Sequence, residues 1–129
     1  FGARSWIVPP CTVTGEGAIA VGDDVVVLEL AALDCRGHVS IGDGCRFGRG
    51  LHVSCTSEVI IEDEVSGSDH VAVLDATVIG AGAYLGYGSI IGPGVRIGRG
   101  AYVGEGAVVV EDVPDHSVVF GNPAVVVRT

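Results

Sequence analysis

The sequence places an aliphatic residue at every sixth position over more than a third of its length. Nine positions are reached in steps of six from Ile61 to Val109; eight are aliphatic and the ninth is Gly67. The positions two residues earlier, from Val59 to Ala107, all carry small or β-branched side chains. Two stripes with the same period predict that both sets of side chains face one continuous core.

Glycine directly follows the aliphatic position in five consecutive repeats. A helix is excluded because a period of six does not keep one face at about 3.6 residues per turn. Hairpins would need strands of about five residues, longer than the repeat leaves between glycines. We expect each glycine to form a corner, since glycine tolerates backbone angles that other residues avoid. The five are Gly80, Gly86, Gly92, Gly98 and Gly104.

The repeat therefore predicts a parallel β-helix, a solenoid shaped as a triangular prism with three short strands per coil. Each coil would take three repeats and lie about 4.8 Å from the next, with hydrogen bonds between coils. The same register continues upstream with shifts of two residues at 33–41 and 53–61. We expect small bulges or loops at those two places.

The prism is predicted to be a single all-β domain over residues 1–129. About five to six coils would occupy 13–112, between an N-terminal cap over 1–12 and a C-terminal cap segment over 113–129. Within the N-terminal cap, the apolar stretch 6–10 would plug the first coil.

Charge narrows the range of partners. A formal net charge of −9 repels nucleic acid and anionic lipid surfaces. The sequence has no apolar run of the length, about 18 residues, that a membrane helix needs, and no signal-peptide pattern. We expect a soluble, cytoplasmic protein that binds neither nucleic acid nor membrane.

The cysteines and histidines do not predict a metal site. Cys11, Cys35, Cys45 and Cys55 lack CxxC spacing and paired histidines at metal-ligand spacing, so zinc is not expected. Buried free thiols are the simplest interpretation of all four.

Two features at the C-terminal side resemble the hexapeptide-repeat acyltransferases. Ile-Gly-x-Gly units stand at 79–82, 91–94 and 97–100, and VPDHSVVFGNPA follows at 113–124. The second is similar to the ending VP-x-x-S-V-x-x-GNPA of the family's sugar O-acetyltransferases. The resemblance implies a left-handed β-helix, a homotrimer with active sites between subunits, and acetyl transfer from acetyl-CoA to a hydroxyl or amine of a saccharide or small metabolite.

Such chemistry needs a general base, and histidine suits it because its pKa lies near neutrality. In the family that histidine stands on a loop just beyond a segment like 71–75, whereas here Asp75 passes through Ala76 directly into the next repeat. Either the protein lacks the loop or the printed sequence omits it. The resemblance puts the base on that loop. Within the printed sequence the candidate catalytic residues are Asp75 and His70, and the simpler interpretation of His70 is a solvated corner residue.

The remaining histidines have structural interpretations. His52 is flanked by inward-facing residues, so it should point outward, to the surface or an interface. His38 and His116 fall on corners or turns. Their scatter argues against the zinc-dependent carbonic-anhydrase branch of the family, which needs three histidines together.

The resemblance also assigns residues to the cofactor. Tyr84 and Tyr87 match positions that line the CoA groove, or they pack on the outer face of a trimer. Gly104 and Glu105 stand where the family usually has GAG, and Arg128 keeps one of two usual C-terminal basic residues.

Two functions follow from these residues. The first is an acetyl-CoA-dependent O- or N-acetyltransferase, with Arg96 and Arg99 as possible substitutes in CoA binding. The second is a non-catalytic trimeric β-helix that serves as a scaffold or regulatory subunit, which the missing loop and the acidic Glu105 and Glu111 favour.

Overall fold

The computed structural model describes residues 2–128, which form a left-handed parallel β-helix of about six coils. The predicted fold class is confirmed. Within the described residues there is no helix, so none is long and apolar enough to cross a membrane. The strands are β1 Trp6–Ile7, β2 Thr12–Thr14, β3 Ala18–Val21, β4 Val26–Val27, β5 Ala32–Cys35, β6 His38–Ile41, β7 Arg46–Phe47, β8 His52–Cys55, β9 Glu58–Ile61, β10 Ser66–Gly67, β11 Ala72–Val73, β12 Val78–Ile79, β13 Tyr84–Leu85, β14 Ile90–Ile91, β15 Arg96–Ile97, β16 Tyr102–Val103, β17 Val108–Val109, β18 Val118–Gly121 and β19 Ala124–Arg128.

The strands form three sheets, one on each face of the prism. Sheet A has the order β1-β4-β7-β10-β13-β16-β18-β19, sheet B the order β2-β5-β8-β11-β14-β17, and sheet C the order β3-β6-β9-β12-β15. All pairings are parallel except β18 with β19. The chain passes from sheet A to B to C and back, so the three corners are called edge AB, edge BC and edge CA.

Both predicted stripes lie inside the prism. Every residue of the two stripes is buried except Gly67, which is partly exposed. Gly67 leaves room for the larger Phe47 in the preceding coil: a Cβ on Gly67 would lie 2.6 Å from the Phe47 ring. The one break in the aliphatic stripe is therefore a packing exchange between neighbouring coils.

The predicted reason for the corner glycines is wrong. Gly80 and Gly86 do not have positive φ; the left-handed residues stand two positions later, at Gly82 and Gly88. A Cβ on Gly86 would lie 2.7 Å from the carbonyl oxygen of Val103 in the next coil. The first corner glycine is thus required by close approach of two coils, and the second by backbone conformation.

The two-residue shifts are neither bulges nor loops. Ser66 pairs with Arg46 twenty residues before it and with Tyr84 eighteen residues after it, and the last coil, from Tyr102 to Val118, is sixteen residues long. All of the shortening occurs at edge BC. The early coils use their extra residues to extend the strands on both sides of this edge to four residues, as in β5 and β6.

The wider corner of the early coils buries two cysteines. Cys35 and Cys55 are register partners on β5 and β8, and their thiols donate to the carbonyl oxygens of Ala18 and His38. Burial, with the neighbouring Cys35 thiol, raises the pKa of Cys55. Cys45 is also buried, but Cys11 is exposed, so the expectation of four buried thiols is wrong for Cys11.

Asp75 caps unpaired backbone N–H groups where a 20-residue coil is followed by an 18-residue coil. In the longer coils, corner N–H groups such as that of His38 donate to a carbonyl of the next coil. The fourth coil has two residues fewer, and the N–H groups of Thr56 and Ser57 instead donate to Asp75 Oδ1 at 2.9 and 2.8 Å. These hydrogen bonds lower the pKa of Asp75 from its ordinary value.

Much of the acidic charge is used in the same way. Seven aspartates accept a backbone N–H from the preceding coil through Oδ1, which satisfies donors that the corner would otherwise leave unpaired. They are Asp23, Asp43, Asp63, Asp69, Asp75, Asp112 and Asp115.

The ends of the prism differ from the predicted caps. The stretch 6–10 does not plug the first coil, because β1 is the first strand of sheet A and Trp6 is 66% exposed. At the other end, Val113 pairs with Ile97 and β18 joins sheet A, so the coil continues past 112. Only β19 reverses direction, and Ala124 packs against the end of the core.

The two kinds of corner glycine can be separated by substitution. At Gly88 (φ +67°) no atom lies within 4 Å of where a Cβ would be, so Gly88→Ala should cost about 1–2 kcal/mol from backbone conformation alone. Gly88→Asn should cost less, because asparagine tolerates this region. Gly86→Ala and Gly86→Asn should both cost about 3 kcal/mol from overpacking. Denaturant unfolding measures all four, and equal stability of the two Asn variants would contradict the assignment.

Asp75 should make stability depend on pH. Its folded pKa is lower than its ordinary value of 3.8, so its stabilisation is present above 3.8 and is lost as pH falls through the folded pKa. Asp75→Ala should lower the Tm at neutral pH by a few degrees, and Asp75→Asn, whose amide oxygen still accepts, should lower it less and flatten the acid dependence. Thermal unfolding between neutral and acid pH measures both; an Ala variant as stable as the parent would refute the role.

Candidate functional site

Edge AB collects most of the residues that the sequence assigned to a site. His70, Tyr87 and Glu105 lie on the corners of three successive coils along this edge. All three are exposed, whereas Gly104, at the same corner as Glu105, is buried. Edge AB therefore exposes an imidazole, a phenol and a carboxylate to solvent on three neighbouring coils.

His70 is held by its backbone and by its neighbours. It has a positive φ of 60°, which is uncommon for a residue with a side chain. Its Nδ1 lies over Gly50 of the preceding coil, 2.5 Å from where a Cβ on Gly50 would be. The ring also meets Tyr87 edge to face, with centroids 5.6 Å apart and planes at 84°. Gly50 and Tyr87 thus fix the imidazole on both sides.

An aromatic column runs along sheet A beside this edge. Tyr84 and Tyr102 are register partners whose rings stack with centroids 5.0 Å apart, and Phe120 follows at 6.0 Å from Tyr102. The Phe120 ring covers Gly104, whose N–H donates to the carbonyl oxygen of Val119. Gly104 consequently has no backbone surface free for a ligand on this edge.

Arg128 lies at the C-terminal end of the same sheet. It is exposed on β19, where it pairs with Val118 across an irregular register. The structure thus brings Tyr84 and Arg128 to one face and His70, Tyr87 and Glu105 to the adjacent edge.

Asp75 is not brought together with His70. The two lie at opposite ends of β11, His70 on edge AB and Asp75 on edge BC. The Asp75 carboxylate also accepts from Thr56, Ser57 and the Ser57 hydroxyl, and its lowered pKa makes it a weak proton acceptor. Its contacts within this chain are those of a cap.

No loop leaves the prism at the expected place. Ala76 takes a positive φ of 60°, and the Thr77 hydroxyl donates to the carbonyl oxygen of Leu74 at 2.7 Å, closing a tight corner like those of the other coils. The chain therefore turns at Ala76 and passes directly into β12.

The other histidines are placed as surface or corner residues. His52 is exposed on sheet B, as predicted, and His116 lies over Gly100 in the same way that His70 lies over Gly50. His38 begins β6. Among residues 2–128, no group of three His, Cys, Asp or Glu side chains is arranged to hold a metal ion.

A groove at edge CA was not predicted from the sequence. It has a volume of about 490 Å³ and is lined by residues that include Ser40, Glu62, Asp63, Ala81 and Arg99. One feature of the sequence could have indicated the groove: Glu62 stands at a corner position where four other coils have glycine. The hexapeptide repeat predicts which side chains face the core, but it does not show which outward side chains line the same groove.

Comparison with known proteins supports the repeat and the fold. Residues 76–111 match the family described as bacterial transferase hexapeptide (six repeats). A search of curated proteins gave no significant match.

Three solved structures illustrate the likeness of the fold. A perosamine N-acetyltransferase variant from Caulobacter crescentus, in complex with CoA and GDP-perosamine, is 27% identical with a TM-score of 0.75 over 92% of this chain and 53% of that one. An N-acyltransferase from Bacillus cereus, with dTDP and 3-hydroxybutyryl-CoA, is 18% identical with a TM-score of 0.89 over 100% and 81%. A hexapeptide transferase family protein from Anaplasma phagocytophilum is 17% identical with a TM-score of 0.81 over 99% and 78%.

The chain spans about half the length of the perosamine enzyme that it matches. The last two likenesses, at 18% and 17% identity, concern the fold alone. The family match thus covers residues 76–111, and the left-handed prism is the fold that this chain shares with the solved structures.

Proposed function

We propose that this protein transfers an acyl group from an acyl-CoA to an amine or hydroxyl of a sugar, with a nucleotide-linked amino sugar as the first acceptor to test. One observation carries the proposal: 92% of the chain matches, at 27% identity, a perosamine N-acetyltransferase solved with CoA and GDP-perosamine. The choice of acetyl-CoA as donor rests on that enzyme and on the sequence resemblance.

His70 is the general base that we assign within this chain. Nδ1 lies over Gly50, so the other ring nitrogen, Nε2, is the one proposed to accept a proton from the acceptor. As the acceptor nitrogen or oxygen attacks the thioester carbonyl, its proton passes to Nε2; the C–S bond then breaks and the thiolate of CoA takes up a proton. Edge-to-face contact with Tyr87 keeps the ring in one orientation for this step.

The aromatic column supports a subunit interface or a CoA groove beside edge AB. Tyr87 and Tyr102 are more than a third exposed, and Phe120 continues the column toward the C-terminal end. Exposed aromatic side chains in a contiguous set mark surfaces that a partner or ligand covers. We propose that neighbouring subunits of a homotrimer cover them, with Glu105 and Arg128 at the margin. A cytoplasmic location stays a prediction.

A second candidate function is a scaffold or regulatory β-helix without catalysis. It is favoured by Asp75, whose carboxylate caps the coil step, and by the tight corner at Ala76, where the family has its histidine loop. In this alternative His70 is a corner residue equivalent to His116.

Substitution of His70 tests the catalytic proposal. His70→Asn should reduce kcat by about 100- to 10,000-fold, because general-base catalysis contributes that much and asparagine tolerates the left-handed backbone. His116→Asn is the matched control, since His116 has the same positive φ and lies over Gly100 in the same way. Acyl transfer to a nucleotide-linked amino sugar is measured by release of CoA thiol. Equal rates for the two variants would remove His70 from the mechanism.

Binding of the donor separates the two candidate functions. If the protein is an acyltransferase, acetyl-CoA at about 100 times its Kd should stabilise the fold by about 2.7 kcal/mol and raise the Tm accordingly. CoA lacking the acetyl group serves as the comparison ligand. No change in Tm at millimolar acetyl-CoA, together with a trimer in light scattering, would favour the scaffold.

A further inference from the structure

The groove at edge CA combines charges of opposite sign that the proposed acyl transfer does not use. It lies on a different edge from His70 and Tyr87, and its lining spans coils from Ser40 to Arg99. The groove is shallow and open to solvent, with a volume of about 490 Å³.

The opening of the groove comes from one small side chain between two charged ones. Asp63, Ala81 and Arg99 occupy equivalent corner positions of three successive coils, each 18 residues from the next. With coils about 4.8 Å apart, Asp63 and Arg99 are separated by roughly 10 Å along the prism. Ala81 does not fill the space between them, so Glu62, Asp63 and Arg99 line one notch, with the Glu62 carboxylate directed toward the Ala81 coil and the Asp63 carboxylate toward the preceding one.

The charged groups of the notch are only partly used by the protein. Asp63 Oδ1 accepts the N–H of Asp43 at 2.8 Å, and Glu62 Oε1 accepts the N–H of Ala81 at 3.1 Å. The second oxygen of each carboxylate accepts no hydrogen bond from the part of the chain that the structure describes.

Arg99 is exposed, and its bonding is through the backbone: its N–H donates to Asp115 and its carbonyl accepts from His116. Within residues 2–128, its guanidinium forms no ion pair; the two pairs present are Arg4 with Asp24 and Arg49 with Glu29. The guanidinium and both carboxylates are therefore available to a ligand.

We propose that this groove binds a small molecule that carries a primary ammonium and a phosphate on opposite sides of a sugar-sized ring. The ammonium would donate to the free oxygens of Glu62 and Asp63, and the phosphate would accept from the Arg99 guanidinium, the residue best suited to bidentate phosphate binding. The Ser40 hydroxyl, which also lines the groove, offers a partner for a ring hydroxyl.

The mixed charge favours this class over simpler ligands. A phosphate without an amine would be repelled by the two carboxylates, and an amine without a phosphate would leave Arg99 unpaired. A ligand with both groups brings a cation to the carboxylates and an anion to Arg99.

Matched ligands test each half of the proposal. The probe is glucosamine 6-phosphate, compared by calorimetry at low salt with glucosamine and with glucose 6-phosphate, each of which lacks one charged group. We expect glucosamine 6-phosphate to bind at least about tenfold more tightly than either, since each charge-assisted hydrogen bond adds affinity. Equal affinity for glucose 6-phosphate would overturn the role of the carboxylates.

Two variants assign the contacts. Arg99→Gln should abolish the preference for glucosamine 6-phosphate over glucosamine, and Glu62→Gln should weaken discrimination against glucose 6-phosphate while its amide oxygen still accepts from Ala81. Arg46→Gln, on sheet A away from the groove, is the control and should bind as the parent does. Unchanged binding by Arg99→Gln would overturn the proposal. No acyl-CoA is present, so the outcome is independent of the proposed transfer reaction.

Discussion

The fold depends on hydrogen bonding between coils that remain in register along the whole prism. Each coil lies directly on the next, so the backbone of one coil meets the backbone or side chain of its neighbour at every corner. This close approach explains why Gly86 cannot carry a side chain and why Gly67 and Phe47 exchange volume. Any residue that alters the spacing at one corner must be matched by its neighbours in the adjacent coils.

The shortening of the coils shows how the chain meets this constraint. All of the residues lost between early and late coils are lost at edge BC, and the donors exposed by each step are taken up by a carboxylate. Asp75 and Asp112 do so at the two steps. These aspartates contribute to the net negative charge, and they also accept hydrogen bonds from backbone N–H groups that would otherwise be unpaired.

Outward-facing side chains carry the functional proposals because the inward-facing ones are fully used by packing. Edge AB presents His70 against Tyr87, and edge CA presents Arg99, Glu62 and Asp63 along one groove. The two edges are physically separate surfaces of one rigid scaffold. A prism of this kind can therefore hold a reaction and a second binding event without either disturbing the core.

The sequence by itself determined the core, because a period of six puts Ile61 through Val109 on the inner side of every strand, and residues 79–124 carried the resemblance to the hexapeptide-repeat acyltransferases. It did not determine the reason for Gly80, the longer strands at edge BC or the position of Trp6, since each depends on what lies one coil away. Only the tertiary structure separated His70 from Asp75 and placed Arg99 and Asp63 along one groove. Contacts between coils join residues about 18 apart, and a local pattern cannot show which outward side chains meet across that distance.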